Sequence, residues 1–113
     1  ARQGCRLNEI GTAIQKYVEK NGFSVVRDYV GHGIGRKLHE DPSVANYKEQ
    51  RKGVTLKQGM VLAIEPMVNM GSYQLKVLKD GWTAVTKDGL YAAHYENTVV
   101  ITNGEPEILT LLP

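Results

Sequence analysis

Short apolar segments separated by Asp-Gly and Asn-Gly dipeptides make up the second half of the chain. The dipeptides lie at residues 80–81, 88–89 and 103–104. They favour tight turns between paired antiparallel strands, because such turns need positive φ angles that Gly, Asn and Asp tolerate. The pattern therefore predicts an antiparallel β-meander after residue 60, with strands at 60–68, 74–78, 83–86, 91–102 and 107–110.

One amphipathic helix is predicted ahead of these strands. Apolar side chains recur at spacings of three and four over residues 7–21, at Leu7, Ile10, Ile14, Tyr17 and Val18. Gly22 supplies a residue that can end the helix, and residues 23–26 predict a short strand. Glycines at 31, 33 and 35 predict a break in regular structure up to Pro42, followed by an irregular segment at 43–59. One helix followed by antiparallel strands predicts the α+β class.

Length and composition exclude several classes of protein. A chain of 113 residues holds a single domain, 1–113. Its 14 Lys and Arg residues nearly balance 12 Asp and Glu residues and form no basic stripe for nucleic acid. No apolar run approaches the ~20 residues of a membrane span, and the single Cys5 cannot form an internal disulfide. We expect a cytoplasmic protein with no nucleic-acid or membrane partner. The start at Ala1, without an initiator Met, predicts a trimmed product or a fragment.

Two glutamates interrupt otherwise apolar strand segments. Glu65 directly follows the apolar residues 61–64, and Pro66 then ends the strand or places it at an edge. Within the predicted strand 91–102, a period of two puts His94, Glu96 and Thr98 on one face. Either glutamate could simply face solvent, as most glutamates do. A buried carboxylate would instead need a partner.

His32 lies in the sequence Gly-His-Gly-Ile-Gly at residues 31–35. Flanking glycines permit unusual backbone geometry and leave room for a group to approach the imidazole. Two alternatives are a glycine-rich turn with a satisfied histidine and a phosphate loop, although the spacing matches neither the dinucleotide fingerprint nor the P-loop. Imidazole nitrogen together with carboxylate oxygen suits Mn, Fe, Co or Zn. His32, Glu65 and Glu96 are therefore a candidate metal set.

Four motifs together resemble the C-terminal half of a type I methionine aminopeptidase. They are Gly-His-Gly-Ile-Gly-Arg at 31–36 with His39, Glu40 and Pro42, Ile-Glu-Pro-Met-Val at 64–68, Lys-Asp-Gly-Trp-Thr at 79–83, and Tyr-Glu-Asn-Thr at 95–98. Prolidases and aminopeptidase P share the first motif. Arg36, the Met-Val after Glu-Pro, and Asp-Gly-Trp-Thr at 80–83 favour the methionine enzyme.

The resemblance implies half of a pita-bread fold and a metal-dependent hydrolase that removes the N-terminal Met from new polypeptides. It implies that His32, Glu65 and Glu96 are metal ligands, with Glu96 bridging two ions. It also implies that Glu65 is the general base, and that His39 contacts the scissile peptide and stabilises the tetrahedral intermediate. The cofactor implied is a pair of divalent ions, Co, Mn, Fe or Zn.

The resemblance further implies that Trp82 and Leu38 line the pocket for the Met side chain. Leu38 stands where the family usually has Phe, His94 where Gln is more common, and Asn97 where His is frequent. The family's two aspartate ligands and a further catalytic histidine belong to its N-terminal half. The implied partners are that half and a peptide with an N-terminal Met, and we expect this chain alone to bind at most one metal ion weakly and to be weakly active or inactive. Two alternatives remain: an isolated or engineered half that pairs with a second copy as a homodimer, and a non-catalytic pita-bread binding module.

Overall fold

The computed structural model describes residues 1–113 and contains one helix and ten short strands. They are α1 (Leu7–Lys20), β1 (Ser24–Val25), β2 (Gly31–Ile34), β3 (Glu40–Val44), β4 (Val61–Ile64), β5 (Met67–Asn69), β6 (Leu75–Val77), β7 (Ala84–Thr86), β8 (Ala92–His94), β9 (Asn97–Val100) and β10 (Glu107–Ile108). The predicted α+β class is confirmed. None of the helical structure is both long and apolar enough to cross a lipid bilayer.

The strands form three sheets, and every pair in them is antiparallel. The largest has five strands in the order β10-β9-β4-β2-β3, the second has the order β1-β5-β8, and β6 pairs with β7 alone. The antiparallel pairing was predicted, whereas the order of the strands departs from their order in the chain. The Asp-Gly loop before Trp82 does join paired strands, and Gly81 has a positive φ of 70°. The loop at 87–91 instead joins β7 to β8, which lie in different sheets.

Helix α1 covers the predicted segment almost to the residue and packs by its apolar side. At its start, the backbone N–H of Arg6 donates to the Glu9 carboxylate, which satisfies a free helix N–H. Ile10 is buried, and Gly11 lies against the backbone of residues 45–47 with no room for a Cβ. The core that the helix helps to cover contains six buried side chains: Ile10, Val44, Leu56, Leu62, Val99 and Ile101.

The predicted break between Gly31 and Pro42 is wrong, because the segment contains strands β2 and β3. None of the glycines at 31, 33 and 35 has a positive φ. Close packing, not backbone conformation, requires glycine here. A Cβ at Gly31 would collide with the Ala63 carbonyl oxygen, and a Cβ at Gly33 would collide with the Asp41 carbonyl oxygen. The glycines therefore let β2 lie close between two neighbouring backbones. The segment 43–59 is mostly irregular, as predicted, but its first residues extend β3 and bury Val44.

Two predicted long strands are each split into two. The segment 60–68 divides into β4 and β5 around Glu65 and Pro66, and the segment 91–102 divides into β8 and β9 around residues 95–96. At both breaks the chain passes between the five-stranded and the three-stranded sheet. The breaks face each other, since the backbone N–H of Tyr95 donates to the Pro66 carbonyl at 3.2 Å. Because of this split, His94 and Glu96 do not share the face of one continuous strand.

Candidate metal centre

The two strand breaks meet beside β2 and bring polar side chains together. His32, in β2, pairs with Ala63 of β4, so it lies next to the end of that strand, where Glu65 follows. On the other side of β4, Ile64 pairs with Asn97, which places Glu96 at the same edge. Three segments that are far apart in sequence thus deliver His32, Glu65 and Glu96 to one place.

These three side chains form the one cluster of potential metal donors in the structure. One donor atom from each of His32, Glu65 and Glu96 lies within 4.8 Å of the other two. Nε2 of His32 is 3.3 Å from Oε1 of Glu65, and both side chains are largely buried, with exposed fractions of 14% and 17%. Glu96 is exposed. His32 lies in a strand and Glu65 directly follows one, so the sheet positions these two less exposed donors, while Glu96 is exposed.

A backbone contact orients the His32 ring. Nδ1 of His32 is 3.0 Å from the carbonyl oxygen of Gly33. In the tautomer with the proton on Nδ1, this nitrogen donates to that carbonyl and leaves the Nε2 lone pair facing Glu65. Histidines that bind metals commonly donate their other N–H to a backbone carbonyl in this way. The arrangement therefore leaves the Nε2 lone pair of His32 free to bind a metal ion.

A second imidazole contacts Glu65 from the opposite side. Nε2 of His94 is 3.3 Å from Oε2 of Glu65, and the His94 side chain is 41% exposed. From the sequence, His94 is evident only as a neighbour of Glu96, with no predicted place in the site. The available signal was its spacing of two from Glu96. That spacing did not reveal the contact with Glu65, which depends on the pairing of β8 with β5.

His39 lies against His32, and both line an open polar cleft. The two ring centroids are 4.1 Å apart, with the planes inclined by 40°. The cleft has a volume of about 630 Å³. Its lining residues are all polar: His32, Lys37, His39, Glu40, Asp41 and Ser43. His39 is thus the predicted site residue, outside the three donors, that the structure brings to the centre.

The structure does not bring Leu38 and Trp82 together with the donors. Both are strongly exposed, at 70% and 87%, and neither lines the polar cleft. An apolar cavity of about 390 Å³, which His94 helps to line, lies between β5, β8 and the β6–β7 pair, and neither Leu38 nor Trp82 lines it. Their predicted contact with a Met side chain stays a prediction.

The loop that carries Trp82 is ordered by Asp80. The Asp80 carboxylate accepts hydrogen bonds from the backbone N–H of Trp82 at 2.9 Å and of Thr83 at 2.8 Å, and from the Thr83 hydroxyl at 2.6 Å. The Thr83 hydroxyl, with the two backbone N–H groups, holds the pKa of Asp80 below its ordinary value, because all three favour the charged carboxylate. The Asp80 carboxylate thereby holds the backbone of the loop at Trp82 and Thr83.

The donor set fits a divalent transition-metal ion. One imidazole nitrogen and two carboxylates are ligands that Mn, Fe, Co and Zn accept. Two ligands each about 2.1 Å from one ion are roughly 3.0–3.4 Å apart at common coordination angles, and the His32–Glu65 separation of 3.3 Å falls in that range. The three residues can therefore hold one ion with only small side-chain movements.

Comparison with known proteins agrees with this chemistry. The model of "Metallopeptidase family M24" matches residues 1–103. The chain belongs to metallopeptidase family M24. This M24 chain is 66% identical to a methionine aminopeptidase of Clostridium perfringens over 95% of its own length and 43% of that relative. It is 54% identical to the Escherichia coli K12 methionine aminopeptidase over 97% of its length and 42% of the relative. It thus spans less than half the length of these enzymes, and the predicted resemblance to methionine aminopeptidases is confirmed.

Solved structures show the same fold. The M24 chain matches the Thermotoga maritima methionine aminopeptidase with a TM-score of 0.93 and 54% identity, over 97% of its length and 44% of that chain. A dipeptidase of Pyrococcus horikoshii matches with a TM-score of 0.68 at 23% identity, over 99% of this chain and 26% of that one, which shows likeness of fold alone. The expected half of a pita-bread fold is confirmed by these likenesses.

Proposed function

We propose that this M24 chain supplies metal-binding and substrate-binding residues of a methionine aminopeptidase, an enzyme that hydrolyses the N-terminal Met from peptides. The observation that carries the proposal is the convergence of His32, Glu65 and Glu96 within 4.8 Å. Its support is the 66% identity with a methionine aminopeptidase over 95% of the chain. A solvated glutamate or a structural histidine would not require three distant segments to meet.

Each polar residue of the site has a distinct task in this proposal. His32, Glu65 and Glu96 hold the metal, which supplies Lewis acidity and lowers the pKa of water when bound. Glu65 accepts a proton from the attacking water as general base. His39, exposed in the cleft beside His32, donates a hydrogen bond to the scissile peptide group. Trp82 and Leu38 contact the Met side chain of the substrate.

The metal is Mn, Fe, Co or Zn, and this chain alone holds one ion weakly. Three donors leave part of the coordination shell to water. A two-metal centre would need further carboxylates to bridge and terminate the second ion. We propose that two aspartates and a catalytic histidine come from the remaining, N-terminal half of such an enzyme. Full activity then requires that half.

We further propose that the remaining half covers the exposed side chains of Leu38, Trp82, Tyr91 and Tyr95. These four side chains are between 70% and 87% exposed, and large exposed apolar groups commonly mark an interaction surface. A second copy of this chain is the alternative partner that would cover these side chains. In this proposal residues 1–113 act as one unit, and the protein lies in the cytoplasm.

Hydrolysis of a Met-Ala peptide tests the function. The chain would be assayed with Mn²⁺ or Co²⁺, alone and mixed with the part of the Clostridium perfringens relative that lies outside the matched 43%. We expect little or no turnover alone, turnover in the mixture, and none in the mixture when Glu65→Gln replaces the parent. A metal-loaded 1:1 complex that cleaves nothing would contradict the function and favour a non-catalytic binding module.

The same samples test the partner by size-exclusion chromatography with light scattering. We expect a 1:1 complex with the added half. A stable homodimer that does not exchange with the added half would overturn the proposed partner and support pairing with a second copy.

A further inference from the structure

The carboxylate of Glu65 lies between two imidazoles that approach different oxygens. Nε2 of His32 is 3.3 Å from Oε1, and Nε2 of His94 is 3.3 Å from Oε2. Glu65 itself is 83% buried by side-chain area, since 17% remains exposed. A carboxylate with this little exposure needs polar partners or an ion at its oxygens.

The two histidines that contact Glu65 have different surroundings. His32 belongs to the group whose donor atoms converge within 4.8 Å, whereas His94 lies outside that group. His94 faces the oxygen of Glu65 that is turned away from His32. When a carboxylate binds a metal through one oxygen, its other oxygen is normally held by an outer hydrogen-bond donor. His94 occupies the place of that donor.

The position of His94 is set by the fold that produces the site. His94 is the last residue of β8 and pairs with Met67, the first residue of β5. Met67 follows Glu65 by two residues, so the break that turns Glu65 toward His32 also brings β8 alongside it. The Tyr95 to Pro66 hydrogen bond fixes this junction.

We propose that His94 is a positioning residue for the metal centre: its Nε2–H holds Oε2 of Glu65, so that Oε1 faces the ion shared with His32 and Glu96. The inference rests on the proposed metal-binding function. At 3.3 Å the contact is just beyond the usual hydrogen-bond range of 2.7–3.2 Å, and a small rotation of the two side chains would bring the N–H of His94 into line with Oε2. His94 does not touch the ion.

Calorimetric titration of the chain with Mn²⁺ tests this role through metal affinity. His94→Gln keeps an N–H donor at nearly the reach of Nε2, whereas His94→Leu and His94→Phe remove the donor and keep comparable bulk. Outer-sphere partners of metal ligands typically contribute 10–100-fold to affinity. We expect the Leu and Phe variants to bind Mn²⁺ about 10–100-fold more weakly than the parent, and the Gln variant to stay within about threefold.

Matched controls separate positioning from a general effect on folding. Lys87, exposed in the loop after β7, receives the same Gln and Leu substitutions and should leave the affinity unchanged. Circular dichroism of every variant without metal should show the same spectrum, because His94 is 41% exposed and is not part of the buried core. If one donor-less variant does not fold, the other still carries the test.

The outcomes distinguish the inference from the function on which it rests. Equal Mn²⁺ affinity for the parent and the donor-less variants, with affinity lost in Glu65→Gln, would overturn the role of His94 alone. Loss of affinity in His94→Gln as large as in His94→Leu would also overturn it, since the amide donor should substitute. A parent chain that takes up no Mn²⁺ would overturn the metal-binding function and the inference with it.

Discussion

Replacing Gly31 by Ala should both destabilise the fold and weaken the metal centre. A Cβ at this position would overlap the Ala63 carbonyl oxygen and lie 3.4 Å from Cβ of Val44. Because the colliding atom is backbone, β2 and β4 must separate by about 1 Å to restore ordinary contact. His32 belongs to β2 and Glu65 directly follows β4. Separation of the two strands therefore also increases the distance between the His32 and Glu65 side chains.

The size of the stability loss follows from this geometry. Overpacking of a tight site costs about 1–3 kcal/mol, and the loosened β2–β4 ladder adds about 1 kcal/mol for each weakened hydrogen bond. Because Ala lowers the conformational entropy of the unfolded chain relative to Gly, it offsets about 0.4–1 kcal/mol of this loss in stability. We expect a net loss of about 3 kcal/mol. With an unfolding entropy of about 0.24 kcal/mol/K for 113 residues, Tm should fall by about 12 °C.

Thermal unfolding followed by circular dichroism in the presence of EDTA measures the loss without metal. Gly104→Ala is the matched control, because no atom lies within 4 Å of a Cβ built there and its φ is not positive. It should leave Tm unchanged or raise it by a few degrees. A Gly31→Ala chain that melts within about 2 °C of the parent, or that binds Mn²⁺ as tightly, would refute the argument that close packing at Gly31 positions His32.

Three further predictions concern the core, the Trp82 loop and metal removal. Leu56→Ala removes a fully buried core side chain, so the free energy of unfolding should fall by about 2–5 kcal/mol; an unchanged denaturant midpoint would contradict the described core. The pKa of Asp80 is lowered in the folded chain, so its stabilisation of the loop is complete above about pH 4 and lost as the pH falls through the lowered pKa. The protection factors of the Trp82 and Thr83 amides, which correct for the intrinsic pH dependence of exchange, should fall over that window in the parent, and Asp80→Asn should abolish this change. Mn²⁺ at a hundredfold excess over its Kd should raise Tm by about 11 °C relative to EDTA, and an equal Tm with and without the ion would contradict binding to the folded state.

The helix and the antiparallel strands could be predicted because local chemistry determines them. The apolar spacing of residues 7–21 matches one face of a helix, and α1 ends one residue before the predicted boundary. The hairpin β6–β7 followed from an Asp-Gly loop whose Gly81 adopts a positive φ. In both cases the residues that carry the signal also make the contacts that stabilise the element.

Strand β2 could not be predicted, because its glycines are required by neighbours that are distant in sequence. Read locally, glycines at 31, 33 and 35 indicate irregular backbone. In the folded chain, the space that a Cβ at Gly31 would fill is occupied by the Ala63 carbonyl, thirty-two residues away. Only the pairing of β2 with β4 shows why the position must be small.

The candidate site was predictable in its composition but not in its geometry. Glu65 and Glu96 stood out as charges at the ends of apolar segments, and His32 stood out between glycines. Their convergence arises because two predicted strands break opposite each other, at Pro66 and Tyr95, and pass to a second sheet. The role of His94 was hidden for the same reason, since its contact with Glu65 exists only across that junction.

Titration of the chain with Mn²⁺ or Co²⁺, against Glu96→Gln, tests the central claim most directly. Glu96 is exposed, so replacing its carboxylate by an amide should leave the fold and its Tm in EDTA unchanged while removing one of three donors. We predict that the parent binds one ion and that Glu96→Gln binds at least tenfold more weakly. Binding by the variant as tight as by the parent would show that His32, Glu65 and Glu96 do not form a metal site.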